Sequence, residues 1–310
     1  MYAQVTAKDG AATVGIDIGG TKIAVLVVAN TGKILARGSV PTPAQEGGAA
    51  IADAVADLVH RLVAHAGVAV SGAGVGSAGV FDRSGTVRAG SDSFREWVGF
   101  ALGCELELRL GVPVHVENDV NAFLLGEATQ HSDDDLFGIM LGTGVGGAMI
   151  LGGQLRQGMN GGAGEIGHTP GFGDLPCTCG QSGHLETIAA GRAIAHRYAM
   201  RTERQLTTPE IAQAARAGDR DAQRVFDDAG RGLAVASVMV ATLLDIPRVI
   251  VGGGVAAAWD LLQPAIDDTL VTDFPVTGEP LSIERAIVGT DAVALGAASA
   301  VRRMPVLVAA

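Results

Sequence analysis

Cysteines and long apolar runs are both scarce in this 310-residue sequence. Its 3 cysteines, two of them in the run Cys177-Thr178-Cys179, do not form the disulfide framework of a secreted protein. The longest apolar run, roughly Leu233–Leu244, is shorter than the about 20 residues that a membrane-spanning helix needs. Residues Met1–Gly10 are polar and lack the apolar segment of a signal peptide. We therefore expect a cytoplasmic protein with no membrane partner.

Basic residues are also few, with 22 Lys and Arg against 33 Asp and Glu and a formal net charge of −11. This balance argues against a nucleic-acid partner, because affinity for nucleic acid comes largely from neutralising phosphates. It does not exclude a local phosphate site, since backbone N–H groups bind anions whatever the net charge. Glycine is abundant, at 45 residues without a collagen-like repeat, which indicates sharp turns and close backbone approach to a ligand.

Strand and helix patterns alternate along the chain, which predicts an α/β fold. Strands are predicted at Thr13–Ile18, Ile23–Val28, Lys33–Val40, Val70–Gly76, Val112–Val116, Leu136–Leu141, Ala148–Leu151 and Arg248–Val251. Helices are predicted at Ala49–Ala66, Val120–Thr129, across much of Leu185–Leu244, at Val255–Ile266 and near the end of the chain. A shift of 123 residues aligns the first hairpin with a second one, pairing Gly15 with Gly138 and Gly19 with Gly142. This repeat suggests a duplicated architecture with a ligand between the halves, although two short hairpins can also match by chance.

Two glycine-rich turns are candidate phosphate sites. In Asp17-Ile-Gly-Gly-Thr-Lys22, the backbone of the turn can approach a phosphate, Thr21 can donate, and Asp17 can hold a hydrated Mg²⁺. Gly142-Thr-Gly-Val-Gly-Gly147 is the second candidate. Neither matches a P-loop, and a strand rather than a helix follows each turn, which disfavours a dinucleotide fingerprint. The alternative for each is an ordinary hairpin turn.

The run Glu117-Asn118-Asp119 follows a predicted strand, where catalytic residues of α/β folds are commonly found. Asp119 is a candidate general base. Its alternative role is the N-cap of the helix predicted to follow.

Four potential metal ligands lie within a short glycine-rich segment: His168, Cys177, Cys179 and His184. Two thiols and two imidazoles suit a structural tetrahedral Zn²⁺, and the alternative is reduced thiols with surface histidines. Cys104 is remote and is expected to be a buried thiol. The flanking carboxylates Glu165 and Glu186 would be oriented by such a loop and could accept sugar hydroxyls, whereas salt-bridged surface glutamates are the alternative.

Taken in order, these motifs resemble the ROK family of bacterial sugar kinases, within the actin-like ATPase superfamily. The resemblance runs from about Gly15 to about Gly296 and is carried by six segments: Asp17–Lys22, Glu117–Ala122, Leu141–Gly147, Gly161–His168, Cys177–Glu186 and Val251–Gly254. It implies two actin-like (ribonuclease H-like) domains flanking a cleft, with a structural zinc loop. The domains are expected at residues 1–121 and 122–295, with a C-terminal helix at about 296–310 packing back on the first.

The resemblance also implies roles for individual residues. The catalytic base would be Asp119, and the zinc ligands would be His168, Cys177, Cys179 and His184. The nucleotide would be bound at Asp17, Gly19, Gly20, Thr21, Lys22, Gly142, Thr143, Gly144, Gly252, Gly253 and Gly254. The sugar would be bound at Asn118, Glu165, His168, Glu186, Gly79 and Ser93. The implied reaction is transfer of the γ-phosphoryl group of ATP, with Mg²⁺, to the C6 hydroxyl of a hexose.

The chain departs from the family pattern at two places. His184 stands where a third cysteine is usual, and histidine can ligate zinc with similar geometry. Ser91–Trp97 lacks an asparagine that normally meets the sugar, so Ser93 or Asp92 would replace it. Glucose is the first candidate substrate, and N-acetylmannosamine, N-acetylglucosamine and fructose remain alternatives. A non-catalytic sugar-binding or regulatory protein is the alternative class, and a homo-oligomer, dimer or tetramer, is expected.

Overall fold

The computed structural model describes residues 11–90 and 93–303. Its chain contacts define two compact units, one of residues 1–132 and 288–310 and one of residues 133–287. The expected domain boundaries after residues 121 and 295 therefore differ from this division. Residues 122–132 and 288–295 belong to the first unit, because they contain parts of two helices that pack on each other and on its sheet.

The strands of the first unit are β1 (Ala12–Ile18), β2 (Lys22–Val28), β3 (Ile34–Pro41), β4 (Val70–Ser77), β5 (Val80–Phe81), β6 (Val87–Ala89) and β7 (Val114–Asn118). Five of them form a sheet in the order β3-β2-β1-β4-β7, and β5 pairs separately with β6. The hairpin strands run antiparallel, whereas β1, β4 and β7 run parallel. These three strands therefore end at the same edge of the sheet, where Asp17, Gly76 and Glu117 lie side by side in register.

The strands of the second unit are β8 (Leu136–Leu141), β9 (Val145–Leu151), β10 (Gln154–Leu155), β11 (Arg248–Gly252) and β12 (Ser282–Arg285). Their order is β10-β9-β8-β11-β12, with β8 antiparallel to β9 and parallel to β11. Each strand thus has the neighbours and directions of its counterpart in the first sheet. The duplicated architecture predicted from the two hairpins is confirmed at the level of strand order.

The helices along the chain are α1 (Gly48–Ala66), α2 (Leu102–Leu110), α3 (Asp119–Glu127), α4 (Glu186–Ala189), α5 (Gly191–Thr202), α6 (Thr208–Arg216), α7 (Arg220–Leu244), α8 (Trp259–Thr272) and α9 (Ala292–Arg303). In the second unit α7 packs against α4, α5, α6 and α8. The apolar run Leu233–Leu244 lies partly in the core, with Leu233 and Val240 buried and Leu243 exposed near its end. Within the described ranges, no helix combines the length and apolarity needed to cross a bilayer.

Helices cover both faces of the first sheet. Alternate residues of β1 point to opposite faces, and Val14 and Ile16 pack into the core that contains Ile51 of α1. On the other face α9 lies directly on the strand backbones. A Cβ at Gly15 would lie 1.8 Å from the carbonyl oxygen of Ala294, a separation that only glycine avoids. This close packing brings α9 against α3, the helix that begins with Asp119.

Candidate active site

Two aspartates stand at the carboxyl edge of the first sheet. Asp17 is the next-to-last residue of β1, and Asp119 follows β7 as the first residue of α3. Burial, followed by the negative charge of Asp119, raises the pKa of Asp17 to about 7, and the charge of Lys22 offsets part of this rise. The negative charge of Asp119 therefore disfavours ionisation of Asp17, which favours either a bound cation or a protonated Asp17 at this edge.

Hydrogen bonds at the junction of β7 and α3 separate the roles of Asn118 and Asp119. The Asn118 Oδ1 accepts the N–H groups of Val120 at 2.8 Å and Asn121 at 3.3 Å, so Asn118 is the N-cap of α3. Its Nδ2 donates to the carbonyl oxygen of Gly79 at 3.0 Å. The Val120 N–H also lies 3.0 Å from Asp119 Oδ1, which orients that carboxylate. The capping role considered for Asp119 therefore belongs to Asn118.

Glu117 supports the same junction from inside the unit, a role that the sequence analysis did not assign. Its Oε1 accepts the Asn118 N–H and the Asn121 Nδ2, both at 2.9 Å. Burial alone would raise the pKa of Glu117, but hydrogen bonds from His115, Asn121 and the Asn118 backbone together lower it. Glu117 is thus a buried, charged anchor for the segment that carries Asp119.

The first glycine turn is a tight connection between β1 and β2. The Gly19 N–H donates to the Lys22 carbonyl oxygen at 3.0 Å. Thr42, which directly follows β3, holds the turn in place through two hydrogen bonds. Its hydroxyl donates to the Gly19 carbonyl oxygen at 2.6 Å, and its backbone N–H donates to the Thr21 carbonyl oxygen at 3.1 Å. The side chains of Thr21 and Lys22 are exposed, so both are available to a ligand of this turn.

Ser93, predicted for the sugar, lies against Gly20, predicted for the phosphates. A Cβ at Gly20 would lie 3.2 Å from the Cβ of Ser93. The structure therefore brings these two predicted site residues together within the first unit. Asp92, the alternative to Ser93, lies outside the described residues.

In the second unit, two further glycine motifs meet at the ends of neighbouring strands. The turn Gly142–Gly144 joins β8 to β9, and Gly252 ends β11 in register with Met140 of β8. Gly253 has φ +88, and a Cβ there would lie 2.5 Å from the carbonyl oxygen of Leu141. Thr143 and Gly254 are exposed at this edge. The predicted phosphate turn Gly142–Gly144 and the predicted nucleotide-binding glycines Gly252–Gly254 are therefore adjacent.

The four predicted zinc ligands also come together in the second unit. One ligand atom from each of His168, Cys177, Cys179 and His184 lies within 4.8 Å of the others. Cys177 Sγ is 3.6 Å from His168 Nδ1, and Cys179 Sγ is 3.3 Å from His184 Nδ1. Ligand atoms of a tetrahedral zinc are about 3.5 Å apart, given the usual Zn–S and Zn–N distances, so this donor set fits the ion. Cys104, expected to be buried, is exposed, because it lies on the outer side of α2.

Glu186 links the Cys/His cluster to the second glycine turn. Its Oε2 accepts the Val145 N–H at 3.0 Å, and its Oε1 accepts the Thr178 hydroxyl at 2.9 Å and pairs with Arg192. Burial would raise the pKa of Glu186, but the hydrogen bonds from Val145 and Thr178 and the charge of Arg192 lower it. With 6% of its surface exposed, Glu186 is ion-paired yet buried, unlike the surface glutamate considered as the alternative.

Glu165 is the contrasting carboxylate. It is exposed, immediately before the 3₁₀ turn Ile166–His168, and its backbone carbonyl accepts the His168 N–H at 3.1 Å. Among the described residues, no side-chain hydrogen bond or ion pair engages its carboxylate. Both of its oxygens are therefore available to hydroxyl donors of a ligand.

Comparison with known proteins defines the class. A family model described as the ROK family matches residues 13–304. Because the match spans most of the sequence, the chain belongs to the ROK family.

Two sugar kinases of known specificity and one solved structure resemble this chain over most of its length. A glucokinase of Halalkalibacterium halodurans is 33% identical over 311 residues, covering 91% of this chain and 92% of that protein. An N-acetylmannosamine kinase of Escherichia coli O1:K1 is 34% identical over 266 residues, covering 85% of this chain and 89% of that protein. Among solved structures, a ROK family glucokinase from Streptomyces griseus in complex with glucose and AMPPNP superposes with a TM-score of 0.76. That structure is 34% identical and covers 94% of this chain and 100% of its own.

Proposed function

We propose that this chain is an ATP-dependent hexose kinase that phosphorylates the C6 hydroxyl of its sugar, with glucose as the leading substrate. The observation that carries the proposal is the interacting pair Asp17 and Asp119 beside a glycine turn. A carboxylate next to a phosphate turn suits phosphoryl transfer, in which catalysis consists of positioning, proton removal and charge stabilisation. The identity to a glucokinase over most of the chain supports the same reaction.

In the proposed reaction Asp119 accepts the proton of the C6 hydroxyl. The hydroxyl oxygen forms a bond to the γ-phosphorus as the bond from that phosphorus to the bridging oxygen of ADP breaks. Backbone N–H groups at Gly20–Thr21 and Thr143–Gly144 would donate to phosphoryl oxygens, because those of Gly19 and Gly142 are already bonded within their turns. Lys22 would add positive charge. Gly252, Gly253 and Gly254 would lie against the adenosine, where the lack of side chains leaves room for close contact.

Two metal ions are implied. Asp17 would hold the Mg²⁺ that accompanies ATP, and a divalent cation would offset the repulsion between Asp17 and Asp119. Mg²⁺ supplies charge neutralisation on the phosphoryl oxygens when bound. The cluster of His168, Cys177 and Cys179 with His184 would hold a structural Zn²⁺ that fixes the surrounding loop.

The sugar-binding residues divide into two groups by their existing contacts. The exposed carboxylate of Glu165 and the Nε2 of His168 would meet sugar hydroxyls directly, because His168 Nδ1 faces the Cys/His cluster. Asn118 and Glu186 already support the loops around them, so each would contribute only its remaining hydrogen-bonding capacity. Ser93 and Gly79 would complete the sugar contacts.

A coupled assay of ADP release with a panel of sugars tests this proposal. Glucose should give the highest kcat/KM in the presence of Mg²⁺. N-acetylmannosamine is the second candidate, because a kinase for that sugar is 34% identical to this chain. A higher kcat/KM with N-acetylmannosamine, N-acetylglucosamine or fructose would support the proposed kinase activity but replace glucose as the proposed substrate. If no sugar stimulated ADP release, the chain would instead be a non-catalytic sugar-binding protein.

A further inference from the structure

His184 makes two distinct contacts through its two ring nitrogens. Nδ1 faces Cys179 Sγ at 3.3 Å, on the side of the Cys/His cluster, and Nε2 lies 3.1 Å from Gln181 Oε1. A neutral imidazole carries its proton on one nitrogen and a lone pair on the other. Because an amide oxygen only accepts, Gln181 requires the proton to be on Nε2. The lone pair of Nδ1 is then directed toward Cys179 and the other cluster residues.

To bind a metal in the cluster, His184 needs the lone pair on Nδ1 and therefore the proton on Nε2. Because the ring is buried, that Nε2–H group needs an acceptor within the protein. His184 has 3% of its surface exposed, so without Gln181 its Nε2–H would be a buried donor without a partner among the described residues. The other tautomer, with the proton on Nδ1, cannot coordinate a metal through Nδ1, the nitrogen that faces the cluster. A cysteine at this position would need no such partner, because a thiolate has no second donor atom to satisfy. The requirement follows from having histidine as the fourth ligand.

The loop holds Gln181 in place independently of its side chain. The Cys177 N–H donates to the Gln181 carbonyl oxygen at 2.7 Å, and Pro176 and Ser182 form an isolated β-bridge. Gln181 itself is exposed, so its side chain can be replaced without opening a core. A change in metal affinity on replacement would therefore report on the contact with His184.

We propose that Gln181 is a positioning residue of the metal centre: its side-chain carbonyl accepts the Nε2–H of His184 and holds Nδ1 ready to bind zinc. This inference rests on the proposed zinc centre. It assigns to Gln181 the task that a carboxylate or carbonyl performs beside metal-binding histidines in general, where loss of the partner typically weakens metal affinity about 10–100-fold.

The test is zinc affinity, measured by competition with a chromogenic chelator on the full chain. Gln181→Leu, which keeps the size but removes the acceptor, should weaken zinc binding by about tenfold or more. Gln181→Glu keeps an acceptor and should retain at least the wild-type affinity. Ser182→Ala, an exposed neighbour, is the control and should leave affinity unchanged.

Measuring Gln181→Leu and Gln181→Glu again in a His184→Cys background shows whether Gln181 acts through the imidazole of His184. There Gln181→Leu should have no effect on affinity, because sulfur ligates without a second ring nitrogen. Equal weakening in both backgrounds would overturn the inference, since Gln181 would then act through the loop rather than through His184. Unchanged affinity of Gln181→Leu, with about one zinc per chain retained, would overturn it while leaving the zinc centre intact. If the wild-type chain bound no zinc, both the role of Gln181 and the proposed zinc centre would be contradicted.

Discussion

At the scale of single residues, the first unit contains a carboxylate pair that opposes its own ionisation. Asp17 is held in the folded protein with a pKa of about 7 by burial and by Asp119. A carboxyl group whose pKa is raised this far is more typical of functional sites than of purely structural ones. The cost of charging Asp17 has a measurable consequence for stability.

Asp17→Asn should stabilise the protein increasingly as pH rises, when no divalent cation is present. Because the folded pKa is above the unfolded value of about 3.9, the favourable contribution of Asp17 is complete below pH 4. It is lost progressively as pH rises from about 4, where the unfolded carboxyl ionises, to about 7, where the folded carboxyl ionises. Asparagine has no such loss, so the variant should gain up to about 4 kcal/mol over wild type by pH 8.

Urea denaturation between pH 4 and pH 8 measures this difference. Asp57→Asn, at an exposed position of α1, is the matched control and should show no such trend. A constant stability difference between Asp17→Asn and wild type across the range would contradict the assigned pKa.

A second prediction at the scale of single residues concerns the zinc content of the Cys/His cluster. Metal analysis of the purified chain should find about one zinc, and Cys177→Ser should lower both zinc content and sugar affinity because one of four ligands is lost. Cys104→Ser removes an exposed thiol on α2, outside the cluster, and should retain the metal. Full sugar affinity in metal-free protein would show that the loop does not need zinc.

At the scale of helices and strands, the sequence predicted an element accurately where its local residue pattern was strong. The glycine hairpin of β1 and β2 and the amphipathic helix α1 were predicted almost to the residue, because strand runs, turn glycines and helical periodicity agree there. No prediction was made for α2, whose leucines at 106, 108 and 110 alternate with charged residues as in a strand. Its short length and its exposed Leu108 leave little helical periodicity to detect.

The candidate site was predicted in its residues but not in its contacts. Local spacing identified Glu186 beside the Cys/His cluster, yet its bond to Val145 joins residues 41 positions apart and depends on the folded unit. The choice of N-cap between Asn118 and Asp119 likewise depends on side-chain direction, which sequence alone does not specify. Glu117 gave a signal only as part of the polar run at the end of a predicted strand.

The contact between α3 and α9 is a structural prerequisite for the placement of Asp119. A Cβ at Gly296 would lie 1.7 Å from the Ala122 carbonyl oxygen, so Gly296→Ala must push the two helices apart. We expect a loss of about 1–3 kcal/mol in the free energy of unfolding, as for other overpacked sites, together with reduced turnover.

Gly162→Ala is the control for this substitution. Gly162 is exposed, and only the Cγ of Glu165, at 3.9 Å, would come near its new Cβ. Stability of Gly296→Ala equal to that of Gly162→Ala, measured by thermal unfolding, would show that the two helices tolerate a methyl group between them.

At the scale of the whole molecule, the chain repeats one sheet design with different insertions. Both sheets place a glycine turn after their central strand, β1 or β8, but only the first adds the interacting aspartates Asp17 and Asp119. The second adds the segment with the Cys/His cluster and the carboxylates Glu165 and Glu186. One repeated fold therefore carries two chemically different sets of residues.

The turnover of Asp119→Asn tests the central claim most directly. Asparagine keeps the size of the side chain and its capacity for hydrogen bonds but cannot accept the proton of the sugar hydroxyl. The account predicts that kcat for glucose phosphorylation falls by about 10²–10⁴ while equilibrium sugar affinity is largely unchanged. A variant that phosphorylates glucose at nearly the wild-type rate would contradict the assignment of Asp119 as the catalytic base.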